Sequence, residues 1–462
     1  MYKKFERIHF VGIGGVGMSG IAEVLKNLGY EVNGSDMKES ETTRRLSGLG
    51  ITVNIGHTAE NIEDAHVVVI SSAVFADNPE VVAAKERSIP VIPRAEMLAE
   101  LGRLKYGVLI AGAHGKTTVT SLVASVLASG GLDPTVVIGG KLKGIGSNAK
   151  LGEGEFLVAE ADESDGSFLR LAPTIAVVTN IDREHMDFFK DIYEVKKAFL
   201  LFANKVPFYG LSILCGDDKY IKELLPEVRR RFFTYGLSEG LNLVARNISS
   251  DGLKSYFEAV LNGESLGMFE VPLIGAHNVC NCLAAIAVAV ELEIDVKSVK
   301  DALSDFSGVQ RRFELKGIAA GIMVFDDYGH HPTEIKATLR AAKSALSRRV
   351  GGEKGRLVVL FQPHRYSRTS DLMSEFSDAF TDADKVVLMD IYAAGERPIN
   401  GVNSEVLSKG IRDAGKDVEH IKEKAEVVTY LIESLKSGDT LLTLGAGDVW
   451  KIGEEVVKRL RN

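Results

Sequence analysis

Short, almost wholly apolar runs alternate along this chain with longer stretches in which apolar residues recur every three or four positions. The runs are IHFVGI from Ile8, VVVISSA from Val67, GVLIAGA from Gly107, FLVAEAD from Phe156, TIAVVTNI from Thr174, IMVFDDY from Ile322, RLVVLFQP from Arg356, KVVLMDIY from Lys385 and TLLTLGAG from Thr440. A strand buried on both faces has no polar alternation, so these runs predict parallel strands covered by helices, an α/β protein. No fixed period recurs, which excludes a solenoid.

Punctuation divides the pattern. The proline-marked IPVIPRAEMLAELGRLKYG precedes a new apolar strand, which puts a boundary near Leu104. A second falls near Glu314, after CNCLAAIAVAVELEI and the basic GVQRRFE. The expected domains are therefore 1–103, 104–314 and 315–462, and 462 residues at about 150 per domain agree.

Composition narrows the function classes. With 45% apolar and 26% charged residues, collagen-like and disordered readings fall away. The net charge of −8 argues against a general grip on nucleic acid, so small anions need local basic sites. Cys215, Cys280 and Cys282 include a C-x-C without a second ligand pair for zinc, and read as buried free thiols in a reducing cytosol. The start, MYKKFERIHFVGIGG, lacks a signal-peptide apolar region, and no uncharged run reaches the ~18 residues of a membrane span. A cytoplasmic protein without a membrane span is expected.

Gly12, Gly14 and Gly17, with Gly15 among them, form G-x-G-x-x-G between a strand and a helical stretch. Backbone N–H groups and a helix N-terminus then meet where a diphosphate can sit, a Rossmann-like arrangement. Asp36, nineteen residues past Gly17, ends the second strand near the ribose or base. His57, Ser71 and Ser72 are further candidate contacts at the carboxyl edge, each also readable as a turn residue. About five short strands suit a diphosphate on one nucleoside better than a full dinucleotide.

The second glycine loop, Gly112-Ala113-His114-Gly115-Lys116-Thr117-Thr118, also joins a strand to a helix. Lys116 would meet the β and γ phosphates of ATP, Thr117 would ligate Mg²⁺ (Mn²⁺ being the substitute), and the loop amides would cradle oxygens. Strict G-x-x-x-x-G-K-T spacing fails, since Ile110 stands at the first glycine position. Hard oxygen ligands must lie nearby. Glu160 is the first choice, with Asp162, Glu163 and Asp165 as alternatives, and His185 after the strand ending at Asn180 is a further ligand.

These loops stand with E-A-D-E-S-D at 160–165, T-N-I-x-x-x-H-M-D at 179–187, G-A-H-N-x-x-N from Gly275, D-D-Y-G-H-H-P-T-E from Asp326 and Q-P-H-R-Y-S-R-T from Gln362. Together they resemble the Mur ligase family over essentially the whole chain. The resemblance implies a Rossmann-like N-terminal domain for the UDP-sugar, a central P-loop domain for ATP, and a C-terminal Rossmann-like domain that closes over ATP and admits the amino acid. It implies joining of L-alanine to the lactyl carboxylate of UDP-N-acetylmuramate through an acyl phosphate, in peptidoglycan precursor synthesis; the sequence leaves monomer and homodimer both open.

By the same resemblance His277, Asn278 and Asn281 look like adenine contacts, and Asp327 occupies a ribose-binding position; a helix N-cap is the alternative for His277 and Asn278. Two departures are recorded: Ala113 replaces the usual Thr, and Arg183-Glu184 the usual Pro-Asp before His185. Some relatives carry a carbamylated lysine, and neither Lys196 nor Lys197 is assigned to it.

The chemistry adds candidates. Arg365 and Arg368 suit a planar clamp for the amino-acid carboxylate, with His364 beside them. His330 is preferred over His331 and His364 for orienting the amine or taking its proton. Arg311 and Arg312 at the second boundary would reach the ATP phosphates when the third domain closes, coupling closure to catalysis. The rival readings are a sensor with NAD(H) on the first loop, and a family member that adds a whole tripeptide. The runs FVGIGGVGMSGIAEVL and YAAGERPI look more like the alanine-adding member.

Overall fold

All nine apolar runs form strands. The computed structural model describes residues 6–62, 64–71, 73–103, 105–139, 149–186, 188–346 and 355–461. β1 (Arg7–Val11), β2 (Glu31–Asp36), β3 (Thr52–Ile55), β4 (Val67–Ile70) and β5 (Val91–Pro93) make a parallel sheet of order β3-β2-β1-β4-β5. The connections run outward from β1 to β3 and then cross back to β4, so β1 ends at a topological switch point, where such sheets bind ligands. Its five strands match the expected number.

A ten-stranded sheet comprises β6 (Tyr106–Ala111), β7 (Thr135–Val137), β8 (Ala149–Lys150), β9 (Phe156–Glu160), β10 (Ile175–Val178), β11 (Leu211–Cys215), β12 (Phe232–Gly236), β13 (Leu243–Asp251), β14 (Lys254–Leu261) and β15 (Glu264–Val271). Its order is β15-β14-β13-β12-β11-β10-β6-β9-β7-β8, which places the P-loop strand β6 between β10 and β9, both parallel to it. None of the nine apolar runs marks β13–β15, whose hairpin signals are Asp251-Gly252 and Asn262-Gly263. Asn262 and Gly263 both take positive φ, 48° and 92°.

The third sheet holds β16 (Glu314–Ala319), β17 (Ile322–Asp327), β18 (Leu357–Phe361), β19 (Lys385–Leu388), β20 (Val418–His420) and β21 (Thr440–Leu444), in the order β16-β17-β21-β18-β19-β20. Only the β16–β17 pair among these is antiparallel. On one face Phe361 is fully buried with its ring 5.7 Å from Phe376 and 5.2 Å from Phe380. Phe361→Leu leaves part of that space empty, and a loss of about 1–2 kcal/mol is expected. Urea denaturation followed by third-domain probes checks it; an unchanged midpoint would show that the neighbours collapse into the gap.

The chain divides into two compact units, Met1–Asn247 with Phe257–Glu270 and Cys280–Ser307, and Ile248–Tyr256 with Val271–Val279 and Gly308–Asn462. The first contains both glycine loops. Leu104, the first expected boundary, lies outside the described residues, whereas β16 begins at Glu314, the second. The three cysteines are free, and burial pushes the Cys215 thiol up to about 11, as inert thiols require. Among the described residues no helix is long and apolar enough to cross a membrane.

Candidate active site

At the first loop the backbone leaves β1 through Gly12 at φ +77° and enters the helix Val16–Asn27 from Gly15. Gly14 N–H donates to Asp36 Oδ2 at 2.9 Å, and a Cβ on Gly14 would lie 2.8 Å from that oxygen. Asp36, expected at the ribose, thus also pins the loop. Gly17 has a different task. A Cβ there would stand 2.2 Å from Arg94 Nη1, so its absence admits the guanidinium, whose Nη2 donates to Asp162 Oδ2 at 3.0 Å. Ser71 lies beside Gly12, with Oγ 3.8 Å from that glycine's would-be Cβ; Ser72 lies outside the described residues. His57 contacts Ser35 and the buried Glu80.

The second loop is held from β10. Thr179 Oγ1 and Asn180 Nδ2 donate to the His114 carbonyl at 2.6 and 2.9 Å, and His114 N–H donates to Asn180 Oδ1 at 2.8 Å. A Cβ at Gly112, φ +141°, would meet Thr179 Oγ1 at 2.0 Å. That crowding explains why this shorter loop needs glycine there. His114 Nε2 lies 3.0 Å from Asp182 Oδ2. Gly115, φ +83°, begins the helix Lys116–Ser129, and Asn281 Oδ1 would sit 2.8 Å from a Cβ there. Asn281 is therefore packed against the P-loop itself. Ala113 is buried, Thr117 is partly exposed and Thr118 is buried in the first turn.

Lys116 Nζ donates to the Gly112 carbonyl at 2.5 Å and to Glu163 Oε1 at 2.7 Å. Burial opposes its charge, but Glu163 and Asp162 outweigh that and hold the ammonium well above the usual lysine range. The same balance, with Arg94 added, keeps the Asp162 carboxyl down at about 2.

Of the acids considered for a metal, Glu160 accepts Gly139 N–H at 2.7 Å and Asp165 caps Ser167 N–H at 2.9 Å. Glu163, Glu184 and His185 instead converge, their ligand atoms all within 4.8 Å of one another. Glu163 Oε2 is buried without a hydrogen-bond partner among the described residues. His185 takes φ +57°, uncommon for a residue with a Cβ. Burial lowers its pKa, but Glu163 and Glu184 raise it overall. A buried carboxylate oxygen without a donor, two further ligand groups and hard oxygen chemistry fit a small divalent cation. The sequence pattern ranks Glu163 below Glu160 and marks Glu184 only as part of the Arg183-Glu184 departure from the family pattern, not as a ligand.

In the third domain, His330 at the end of β17 and His364 at the end of β18 have ring centroids 6.1 Å apart. His364 stacks on Tyr392 at 5.4 Å and 9°, and Arg368 Nη1 lies 3.5 Å from its Nδ1. Arg365, φ +71°, has Nε 3.9 Å from Glu396, which also accepts from Ser367. The expected amino-acid residues thus gather at one sheet edge, with Tyr392 and Glu396 added from the YAAGERPI segment. His331 is buried, its Nδ1 accepting Thr333 N–H at 3.3 Å.

Burial, then His330, Arg368 and Arg365, push the His364 imidazole down to about 3. An unfolded histidine titrates near 6.5. As pH falls from about 6.5 toward 3 the unfolded chain takes a proton that the folded chain refuses, so stability is lost through that window. His364→Gln is expected to flatten the acid limb, by about 1 kcal/mol at pH 5 after solvent screening. Urea midpoints at pH 5 and 7.5 test this, and parallel pH slopes in the two proteins would refute it.

Arg311, expected at the ATP phosphates, turns inward: Nε donates to Asp326 Oδ2 at 2.8 Å, Nη1 to the Gly447 carbonyl at 3.0 Å and Nη2 to the Gly445 carbonyl at 2.5 Å. Neighbouring Arg312 lies 3.8 Å from Glu334 and over the Tyr328 ring. Asn278 Nδ2 donates to the Ile274 carbonyl at 2.8 Å, while His277 lies beside Gly275 and is exposed. Asp327 is buried, accepts Phe313 and Gly329 N–H at 2.8 and 2.7 Å, and is pushed up to about 6 by burial.

Two glycine loops between strand and helix, one on a parallel and one on a mixed sheet, bridged by Arg94 and Asp162, with a carboxylate–histidine cluster at the second, have the form of a nucleotide-dependent α/β enzyme. Comparisons with known proteins specify the class. "Mur ligase family, catalytic domain" matches residues 7–106, "Mur ligase middle domain" 110–289 and "Mur ligase, glutamate ligase domain" 311–447. The UDP-N-acetylmuramate--L-alanine ligase of Geotalea daltonii is 57% identical over 462 residues, covering 100% of this chain and 99% of its own. That of Geobacter sulfurreducens is 56% identical with the same coverage.

Among solved structures, the UDP-N-acetylmuramate-alanine ligase of Thermotoga maritima matches at TM-score 0.83 and 30% identity, covering 98% of each chain. A murein peptide ligase of Psychrobacter arcticus shares the fold at TM-score 0.70 and 24% identity over 99% of each chain. The chain belongs to the Mur ligase family and has its three-domain α/β fold.

Proposed function

We propose that this chain is the ATP-dependent ligase that joins L-alanine to the lactyl carboxylate of UDP-N-acetylmuramate, releasing ADP and phosphate, in cytoplasmic peptidoglycan precursor synthesis. The observation that carries it is the link between the two loops: Arg94 joins the Gly17 turn to Asp162, beside Lys116 and Glu163 at the P-loop. A carboxylate from the first site and a phosphoryl group from the second can meet there. Full-length identity of 57% to a relative named for this reaction agrees.

The domains are 1–103 for the UDP-sugar, 104–314 for ATP and 315–462 for the amino acid. Gly12, Gly14, Gly15 and Gly17 offer amides and space to the diphosphate, with Asp36, His57, Ser71 and Ser72 around the nucleoside. The loop 112–118 cradles ATP, with His277, Asn278, Asn281 and Asp327 toward the nucleoside. Joining a carboxylate to an amine in water is uphill, so the lactyl carboxylate first attacks the γ-phosphorus in line, forming an acyl phosphate as ADP leaves. Lys116 meets the charge that spreads over the phosphoryl oxygens.

Thr117, Glu160 and His185 would hold Mg²⁺, or Mn²⁺ in its place, with Glu163 and Glu184 adjoining. Bound there, the cation neutralises phosphate charge. His364, Arg365 and Arg368 orient alanine by its carboxylate, and His330 takes the amine proton as nitrogen attacks the acyl carbon and phosphate departs.

Phosphate release from ATP and Mg²⁺ with UDP-N-acetylmuramate, and with L-alanine or the tripeptide supplied in parallel, tests this. Release that requires the sugar nucleotide and L-alanine is expected. Preference for the tripeptide would reassign the amine substrate, and release indifferent to the sugar nucleotide would refute the ligase reading.

A further inference from the structure

Beneath the carboxyl edge of the first sheet lies a carboxylate that the reaction does not use. Glu80, in the helix Pro79–Glu86, has a fully buried side chain. Ser35 Oγ donates to its Oε2 at 2.6 Å and Asn61 Nδ2 to its Oε1 at 2.5 Å, while His57 Nδ1 lies 3.2 Å from Oε2. Buried His9, from β1, has Nε2 3.7 Å away. Asn61 Nδ2 also donates to the Gly56 carbonyl at 3.1 Å. One carboxylate therefore ties together β2, the turn after β3 and the helix following β4.

The arrangement dictates where the His57 proton sits. Ser35 has one hydroxyl proton, and at 2.6 Å it belongs to Glu80. The 3.0 Å contact between Ser35 Oγ and His57 Nδ1 then requires the imidazole to donate. A neutral ring with its proton on Nδ1 has a bare Nε2, an acceptor on the far side of the ring. The His57 side chain remains 13% exposed, and the described residues supply no hydrogen bond to that nitrogen. Its position is suited to a ligand: the diphosphate loop follows β1, Asp36 ends β2, and His57 follows β3, the next strand outward.

We propose that Glu80 is a positioning residue that holds His57 in the Nδ1–H form, so that Nε2 accepts a hydrogen bond from an N–H or O–H donor of the bound uridine. The inference rests on the UDP-sugar reading of the first domain. It makes the site selective for a donor-bearing nucleoside, since a bare acceptor facing another acceptor leaves both unsatisfied.

The test uses the whole enzyme and UDP as probe. Imidazole ¹⁵N spectra at pH 8 are expected to show His57 protonated on Nδ1 and bare on Nε2, with Nε2 shifting as UDP is added. Glu80→Gln should weaken UDP binding about tenfold and leave ATP binding unchanged. Because Glu80 acts through His57, Glu80→Gln added to His57→Gln should weaken it no further, which a merely structural residue would not predict. CDP lacks the imide N–H, and 2′-deoxy-UDP and 3′-deoxy-UDP each lack one ribose hydroxyl; the weakest of the three identifies the donor.

A wild-type His57 protonated on Nε2 overturns the inference without any variant having to fold. Additive losses in the double variant, or CDP, 2′-deoxy-UDP and 3′-deoxy-UDP all binding as tightly as UDP, overturn it while leaving the ligase reading intact. Failure of wild-type enzyme to bind UDP removes both.

Discussion

Lys116→Ala is expected to lower UDP-N-acetylmuramate-dependent phosphate release by at least about 10³-fold, the scale on which preorganised charge acts in phosphoryl transfer. The side chain lies at the start of the helix Lys116–Ser129, between the Gly112 carbonyl and Glu163. The same substitution strands Glu163, whose side chain is 3% exposed. Breaking a buried ion pair from one side costs about 3–5 kcal/mol, so lost activity alone could reflect lost structure. Lys116→Met with Glu163→Gln removes both charges at similar volume and is expected to fold while remaining inactive. Isothermal titration with UDP and single-turnover phosphate release separate the outcomes. A double variant that binds UDP and still turns over ATP within tenfold of wild type would remove Lys116 from the chemistry.

Arg311→Ala is expected to destabilise the third domain by about 4 kcal/mol. Its guanidinium lies between the fully buried Asp326 and the carbonyls of Gly445 and Gly447, and Thr443 Oγ1 donates to Asp326 at 2.6 Å. Burial raises the Asp326 carboxyl and Arg311 restrains the rise, so removal leaves an unpaired buried charge and unsatisfied carbonyls. Arg311→Lys keeps the charge but not the fork, and should recover less than half of the loss. Thermal unfolding followed at third-domain probes measures this. A melting temperature within about 2 °C of wild type would show that the clasp contributes little.

The strands, the two glycine loops and the order of motifs were legible because each is local. An apolar run of five residues with a glycine turn and a helix-period stretch behind it specifies strand, loop and helix without any distant partner. The hairpins β13–β15 carry the turn signals Asp251-Gly252 and Asn262-Gly263 but no wholly apolar run, since each of these strands has one solvated stretch or face. The division was harder to read. The two N-terminal domains share one compact unit, within which Arg94 meets Asp162 across a spacing of 68 residues and the helices Val16–Asn27 and Arg94–Gly102 pack against elements of the second sheet's domain.

By itself, the amino-acid order determined the α/β architecture, the two glycine turns and the family, since these depend on backbone conformation and residue type at short spacing. Tertiary structure alone decided which of several equivalent side chains meet. Glu160, Asp162, Glu163 and Asp165 have similar chemistry within six positions, yet Glu163 meets Lys116 and lies within ligand reach of His185, Asp162 meets Arg94, Glu160 meets Gly139 and Asp165 caps a turn. Nor does any local pattern reveal that Arg311 faces inward or that Glu80 collects donors from β2, from the turn after β3 and from Asn61. A charge is assigned to solvent, ligand or core by what the rest of the chain places beside it, because burial makes an unpaired ion costly and a paired one tolerable.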